Sequence, residues 1–95
     1  MKIIALEVET AGATAADFEP HLKGEAAHVW ELQQKGVIRE TFFRTDQHTV
    51  VLVLECSDIE QCRALVATFP LVREGLISFD LIPLAPYDGF ARLFA

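Results

Sequence analysis

Glu25 sits inside the apolar stripe of a helix-forming segment. At about 100° per residue, Phe18, Leu22, Ala26, Val29 and Leu32 fall within an arc of about 120°, wide enough for a core-facing side. Glu25 lies in the same arc. A charged carboxylate facing a core is costly unless it finds a partner or takes up a proton. Burial against apolar neighbours tunes its pKa toward the range a general base or acid needs. The competing reading is structural: a helix carboxylate paired to an arginine of the sheet, with Arg39 and Arg44 as partners.

Other side chains near this position carry their own chemistry. His21, Glu25 and His28 stand at i, i+4 and i+7, within about 80° of one another on one helix side. Two histidines and a carboxylate can form a metal set. Residues seven apart, however, lie about 10 Å apart along the axis, too far for one ion without a local break. We therefore expect no metal. His28 reads as a proton partner near a pocket rim, since histidine titrates in the useful range, or as a partly exposed helix residue. His48 opens a strand and can donate a hydrogen bond, or it is only a turn residue. Arg39 and Arg44 can grip a substrate carboxylate bidentately, although surface or ion-pair arginines are commoner. Phe42, Phe43 and Phe79 are core or pocket wall. Trp30 falls outside the apolar arc and suits a subunit contact better than a pocket. Ser57 has no His/Asp pattern around it. Cys56 and Cys62 do not form a CxxC pair and read as small buried hydrophobes with free thiols.

The elements that must position these groups follow from period and punctuation. Residues 2–9 read as a strand, with Ile4, Leu6 and Val8 on one face and Ile3 and Ala5 on the other. After a loop of small residues, Thr14 or Asp17 caps a helix that tolerates Pro20 in its first turn and runs to about Lys35, where Gly36 stops it. Gly24 within it is unfavourable by about 1 kcal/mol relative to Ala. Residues 37–45 form a strand with Ile38, Glu40, Phe42 and Arg44 on one side and Val37, Arg39, Thr41 and Phe43 on the other. A third strand, His48 to Glu55, is apolar on both sides, so both sides must be covered. Ser57 and Glu60 form an S-x-x-E capping box for a second helix, which Pro70 ends. Residues 76–84 are the last strand, where Pro83 suits an edge or an end.

The order βαββαβ is the ferredoxin-like pattern, an α+β fold with two helices on one face of a four-stranded antiparallel sheet. The other face is too apolar to be wet, and a second copy packed sheet against sheet covers it most economically. The whole of 1–95 is one domain. Residues 85–95 carry Tyr87, Phe90, Leu93 and Phe94, too apolar for a free tail, and are expected to pack on a neighbouring subunit.

Composition narrows the partners. The 95 residues are 52% hydrophobic, slightly above the usual share, with the excess in strand-like runs. A formal net charge of −6 disfavours nucleic acid and anionic membranes. Glu7 and Glu9 interrupt the apolar start, so it does not read as a signal peptide. No apolar run spans a bilayer. The expectation is a cytoplasmic homodimer or higher homo-oligomer that takes a small-molecule ligand.

The segments ELQQKG with the following VIRETFFR, ECSDIEQC, and TFPLVREGLISFDLIPL resemble the muconolactone isomerase family, within the dimeric α+β barrel group. The resemblance covers roughly residues 22–84, and the first strand and PYDGFARLF tail look closer to an uncharacterised branch. It implies ferredoxin-like protomers paired through their sheets, and a double-bond shift in an unsaturated lactone with no metal or organic cofactor. Glu25 matches a glutamate in the corresponding helix. His48 and Val50 stand where the family has Tyr and Asn; His48 can still donate, and Val50 cannot. On this basis Glu25 moves a proton, His48 or His28 assists, and Arg39 or Arg44 orients an anionic group beside Phe42. The alternatives are a cofactor-independent monooxygenase of the same fold and a non-catalytic binding or oligomeric protein.

Overall fold

Strict alternation sets the first strand. In the computed structural model, which describes residues 1–95, β1 spans Lys2–Glu9. Ile3 and Ala5 are completely buried, whereas Ile4 and Leu6 are half-buried and Val8 is exposed. The helices therefore cover the Ile3 side and leave the Ile4–Leu6–Val8 side open.

The expected single first helix is broken in two. α1 (Ala15–Phe18) is opened by Thr14, whose hydroxyl accepts from the Asp17 amide while the Asp17 carboxylate accepts from the Thr14 amide at 2.8 Å. Residues Glu19–His21 then form a 3-10 turn, and α2 spans Leu22–Gln34. Pro20 explains the break: its ring locks φ and it has no N–H to give to the preceding turn. At the far end, Gly36 adopts φ 78°, with the Val37 amide on the Leu32 carbonyl and the Gly36 amide on that of Gln33. This is a Schellman stop, and it aims the chain directly into the next strand.

β2 spans Ile38–Phe43 and β3 spans Val50–Glu55, both shorter than their expected runs, so His48 lies in the turn between them. A bulge falls at Arg39: Ile38 pairs with Leu54, but Glu40 already pairs with Val53. The extra residue reverses the alternation. Ile38, expected to share a side with Phe42, is instead on the helix-covered face with Thr41 and Phe43, while Phe42 pairs with Val51 on the open face.

α3 (Ile59–Val66) corrects the expected capping box. Asp58 is the cap and accepts from the Gln61 amide at 2.8 Å, while Ser57 donates its hydroxyl to the Gln61 side chain at 2.9 Å. Aspartate caps as well as serine, and its charge suits the helix N-terminus. Glu60 pairs with Arg63 instead. Pro70 starts a further short helix, α4 (Pro70–Arg73), as its first residue, and Gly75 ends it with the same two-bond stop seen at Gly36.

β4 spans Ile77–Pro83. The antiparallel sheet has the order β2-β3-β1-β4, which makes the molecule a ferredoxin-like α+β fold. Ile3, Ile38, Leu52, Leu54, Cys62 and Phe69 form its fully buried centre. Cys56 and Cys62 are buried free thiols; burial, and next the Cys56 sulfur, push Cys62 up to about 12. The tail leaves the body and ends in a 3-10 segment, Gly89–Phe94. The radius of gyration is 15.5 Å, against about 12 Å for a compact chain of this length, because the tail projects. No helix is long and apolar enough to cross a membrane.

Candidate functional site

The helix-covered face of β1 runs Ile3, Ala5, Glu7, Glu9. The first two fill the core, and the next two place carboxylates on the same face, because side chains two apart point the same way. Packing stops where those acids begin, and a cavity of about 740 Å³ opens there. That volume falls within the range of about 300–1,000 Å³ that small-molecule sites occupy. α2 contributes Leu22, Glu25, Ala26 and Val29 to its wall, and Phe43, Phe69 and Phe79 contribute aromatic surface. The first half of the α2 stripe thus faces a void: Leu22 is 45% exposed, whereas Leu32, farther along, is 6% exposed.

Glu25 is half-buried on this wall, with no arginine beside it. Its Oε1 accepts from the Leu71 amide at 3.0 Å. Leu71 is the second residue of α4, whose own cap residue, Phe69, supplies no side-chain bond. The carboxylate therefore serves as the missing cap of a neighbouring helix, which the sequence does not signal. Burial pushes its pKa up; the Leu71 amide and the charge of His28 pull the other way.

Glu7 faces the same cavity and was not singled out from sequence. Its Oε1 accepts from the Val50 amide at 3.3 Å. Burial raises its pKa, the Val50 amide opposes that rise, the charges of Glu9 and Glu25 add to it, and His48 lowers it. The signal was present: the alternation that buries Ile3 and Ala5 turns Glu7 inward as well. It was masked because Ile4, Leu6 and Val8 form the more apolar side of the strand.

The remaining expected site residues divide. His48 lines the cavity and stacks on Phe43, with ring centroids 4.0 Å apart and planes inclined by 13°. Phe42 borders the cavity from the edge strand, although its pairing places it on the open face. Trp30 also lines it and is 65% exposed, at the mouth. His28 does not line it. Its Nε2 lies 2.8 Å from the Thr68 hydroxyl, which donates its one proton to the Leu65 carbonyl, so the ring nitrogen donates to Thr68. Its ring stands edge-on to Phe69.

Arg39 and Arg44 lie outside the cavity, contrary to expectation. Arg39 donates to the Gly36 carbonyl at 2.5 Å, within the bulge that re-aims it. Arg44 makes a two-pronged contact with Asp46 at 2.9 and 2.6 Å, closing the β2–β3 turn. No three His, Cys, Asp or Glu side chains converge as a ligand set.

No family model matches the chain, and no curated protein does. Among solved structures, it is similar to 5-chloro-2-hydroxyhydroquinone dehydrochlorinase (TftG) from Burkholderia phenoliruptrix AC1100, in complex with 2,5-dihydroxybenzoquinone. The TM-score is 0.66 at 15% identity, over 94% of this chain and 98% of that one. The chain shares its ferredoxin-like α+β fold.

Proposed function

We propose that the chain catalyses cofactor-free proton transfer on a small lactone or other cyclic metabolite, in the manner of the muconolactone isomerase-like proteins. The observation that carries this reading is Glu25: a half-buried carboxylate of raised pKa on the wall of a ligand-sized cavity. Moving a double bond within a ring requires a proton to leave one carbon and return to another. A carboxylate whose pKa has risen toward the working pH can do both. The Leu71 amide fixes Oε1 and leaves Oε2 unbonded for the proton. His48, which lines the same cavity from the β2–β3 turn, is the hydrogen-bond donor for the oxygen that gains negative charge as the proton leaves. His28 lies outside the cavity with its Nε2 held by the Thr68 hydroxyl, so it takes no direct part. That a structural neighbour was solved with a small cyclic molecule bound adds support for a small-molecule ligand. The working form is a homo-oligomer joined through the open sheet face.

A test is to incubate the protein in heavy water with a panel of unsaturated lactones and hydroxylated cyclic compounds. Enzyme-dependent deuterium entry at a ring carbon is expected, and Glu25→Gln should abolish it. Undiminished exchange in that variant removes Glu25 from the mechanism. Substrate-dependent oxygen uptake without exchange favours monooxygenase chemistry instead. A second reading, a ligand-binding protein without chemistry, draws on the Leu71 contact, since that bond gives Glu25 a structural task of its own. Saturable binding with neither exchange nor oxygen uptake would favour it.

A further inference from the structure

The charges around the cavity indicate what it accepts. Four carboxylates border it: Glu7 and Glu9 from β1, Glu19 from the 3-10 turn and Glu25 from α2. No lysine or arginine does, and His48 is the one basic side chain on the wall. Arg44 is held by Asp46 and Lys35 by Glu31, both away from the opening. Glu7 and Glu25 each use one oxygen on a backbone amide, from β3 and from α4 respectively, and the second oxygen of each makes no hydrogen bond. The site therefore offers two free acceptors between apolar and aromatic walls. Such a lining repels an anion and welcomes a ring that brings donors.

We infer that the cavity selects ring compounds that present O–H or N–H donors to Glu7 and Glu25 and carry no anionic group. Glu7 is thereby assigned as a second ligand-binding carboxylate. The inference rests on the cavity being the ligand site proposed above, and it replaces the expected arginine grip on a substrate carboxylate. It also divides the labour on the ring. Glu7, with Oε1 held by the Val50 amide, offers its other oxygen to a ring hydroxyl, and Glu25 is left to act at carbon. The aromatic faces of Phe43 and Phe79 flank the ring itself.

Two ring-matched probes test this: 4-hydroxybenzyl alcohol, uncharged at neutral pH, and 4-hydroxybenzoate, an anion. Titrations followed by protein NMR at pH 7 should show the alcohol perturbing Glu7, Glu25, Val50 and Leu71. The alcohol should bind about tenfold or more tighter than the benzoate. Glu7→Gln retains an acceptor for the Val50 amide and removes one charge, so it should narrow that ratio several-fold without unfolding the chain. Benzoate binding in the cavity as tightly as the alcohol overturns the charge selection and leaves the cavity standing as a ligand site. An unchanged ratio in Glu7→Gln overturns the assignment of Glu7. If neither probe perturbs the cavity, the cavity is not the ligand site, and the proposed function falls with the inference.

Discussion

Replacing Glu25 separates its two tasks. Glu25→Gln keeps an oxygen for the Leu71 amide and loses the titratable proton, so turnover should vanish while the denaturation midpoint stays close to that of the wild type. Glu25→Ala also orphans the Leu71 amide on a residue only 5% exposed. A buried donor left unpaired costs about 1–3 kcal/mol, so this variant should lose that much stability as well. Acidity is a second check at this scale. Glu7 and Glu25 both have folded-state pKa values raised, chiefly by burial. The unfolded chain therefore releases these protons first as pH rises, from the ordinary glutamate value of 4.5. Stability from the two groups is fully present below that pH and is lost as pH climbs through their folded values. Urea titrations between pH 4 and 8 should show this decline, and Glu25→Gln and Glu7→Gln should each flatten it. Glu25 was legible in the sequence because it interrupts a helical stripe. Its partner was not, because Leu71 is 46 residues away and contributes only a backbone amide.

Two glycines of one helix should respond in opposite directions. Gly24 lies near the start of α2, and a β-carbon there would meet only Pro70, at 4.0 Å, an ordinary contact. Gly24→Ala should stabilise the protein by up to about 1 kcal/mol, since alanine loses less entropy in a helix. Gly36 has open space around it but a φ of 78°. Gly36→Ala should cost about 1–2 kcal/mol through backbone strain alone. Calorimetry of both variants checks the pair. At this scale the sequence indicated that β2 existed and where it began, but not its faces. Alternation counted along 37–45 assumes no bulge, and the extra residue at Arg39 exchanges the sides of everything after it. That one irregularity puts Phe43 against His48 and the cavity, and it carries Arg39 away from the site.

Across the whole molecule, one sheet face is left without a cover. Leu6, Val8, Val51, Phe42 and Ile82 share it, and Phe42 and Ile82 are 53% and 43% exposed. The projecting tail adds Tyr87, Phe90, Leu93 and Phe94, each at least 66% exposed. Monomers rarely present so much contiguous apolar surface. Val51→Lys on the open face should shift the protein toward monomer in sedimentation velocity. Deletion of residues 85–95 should lower the mass of the assembly or its resistance to dilution. A wild-type protein that sediments as a stable monomer would contradict the proposed oligomer.

Periodicity, capping residues and glycine stops determined the element order, because these signals are local and each residue carries its own. The inward turn of Glu25 belongs with them, since it follows from the angle between neighbours on one helix. What needed the tertiary structure was everything set by register and by distance along the chain. The bulge decided which phenylalanine faces the helices and carried Arg39 away, the opposition of β1 to α2 left a hollow between Glu7 and Glu25, and turn closure drew Arg44 away. A carboxylate's surroundings depend on which segments fold back over it, and no local pattern specifies that.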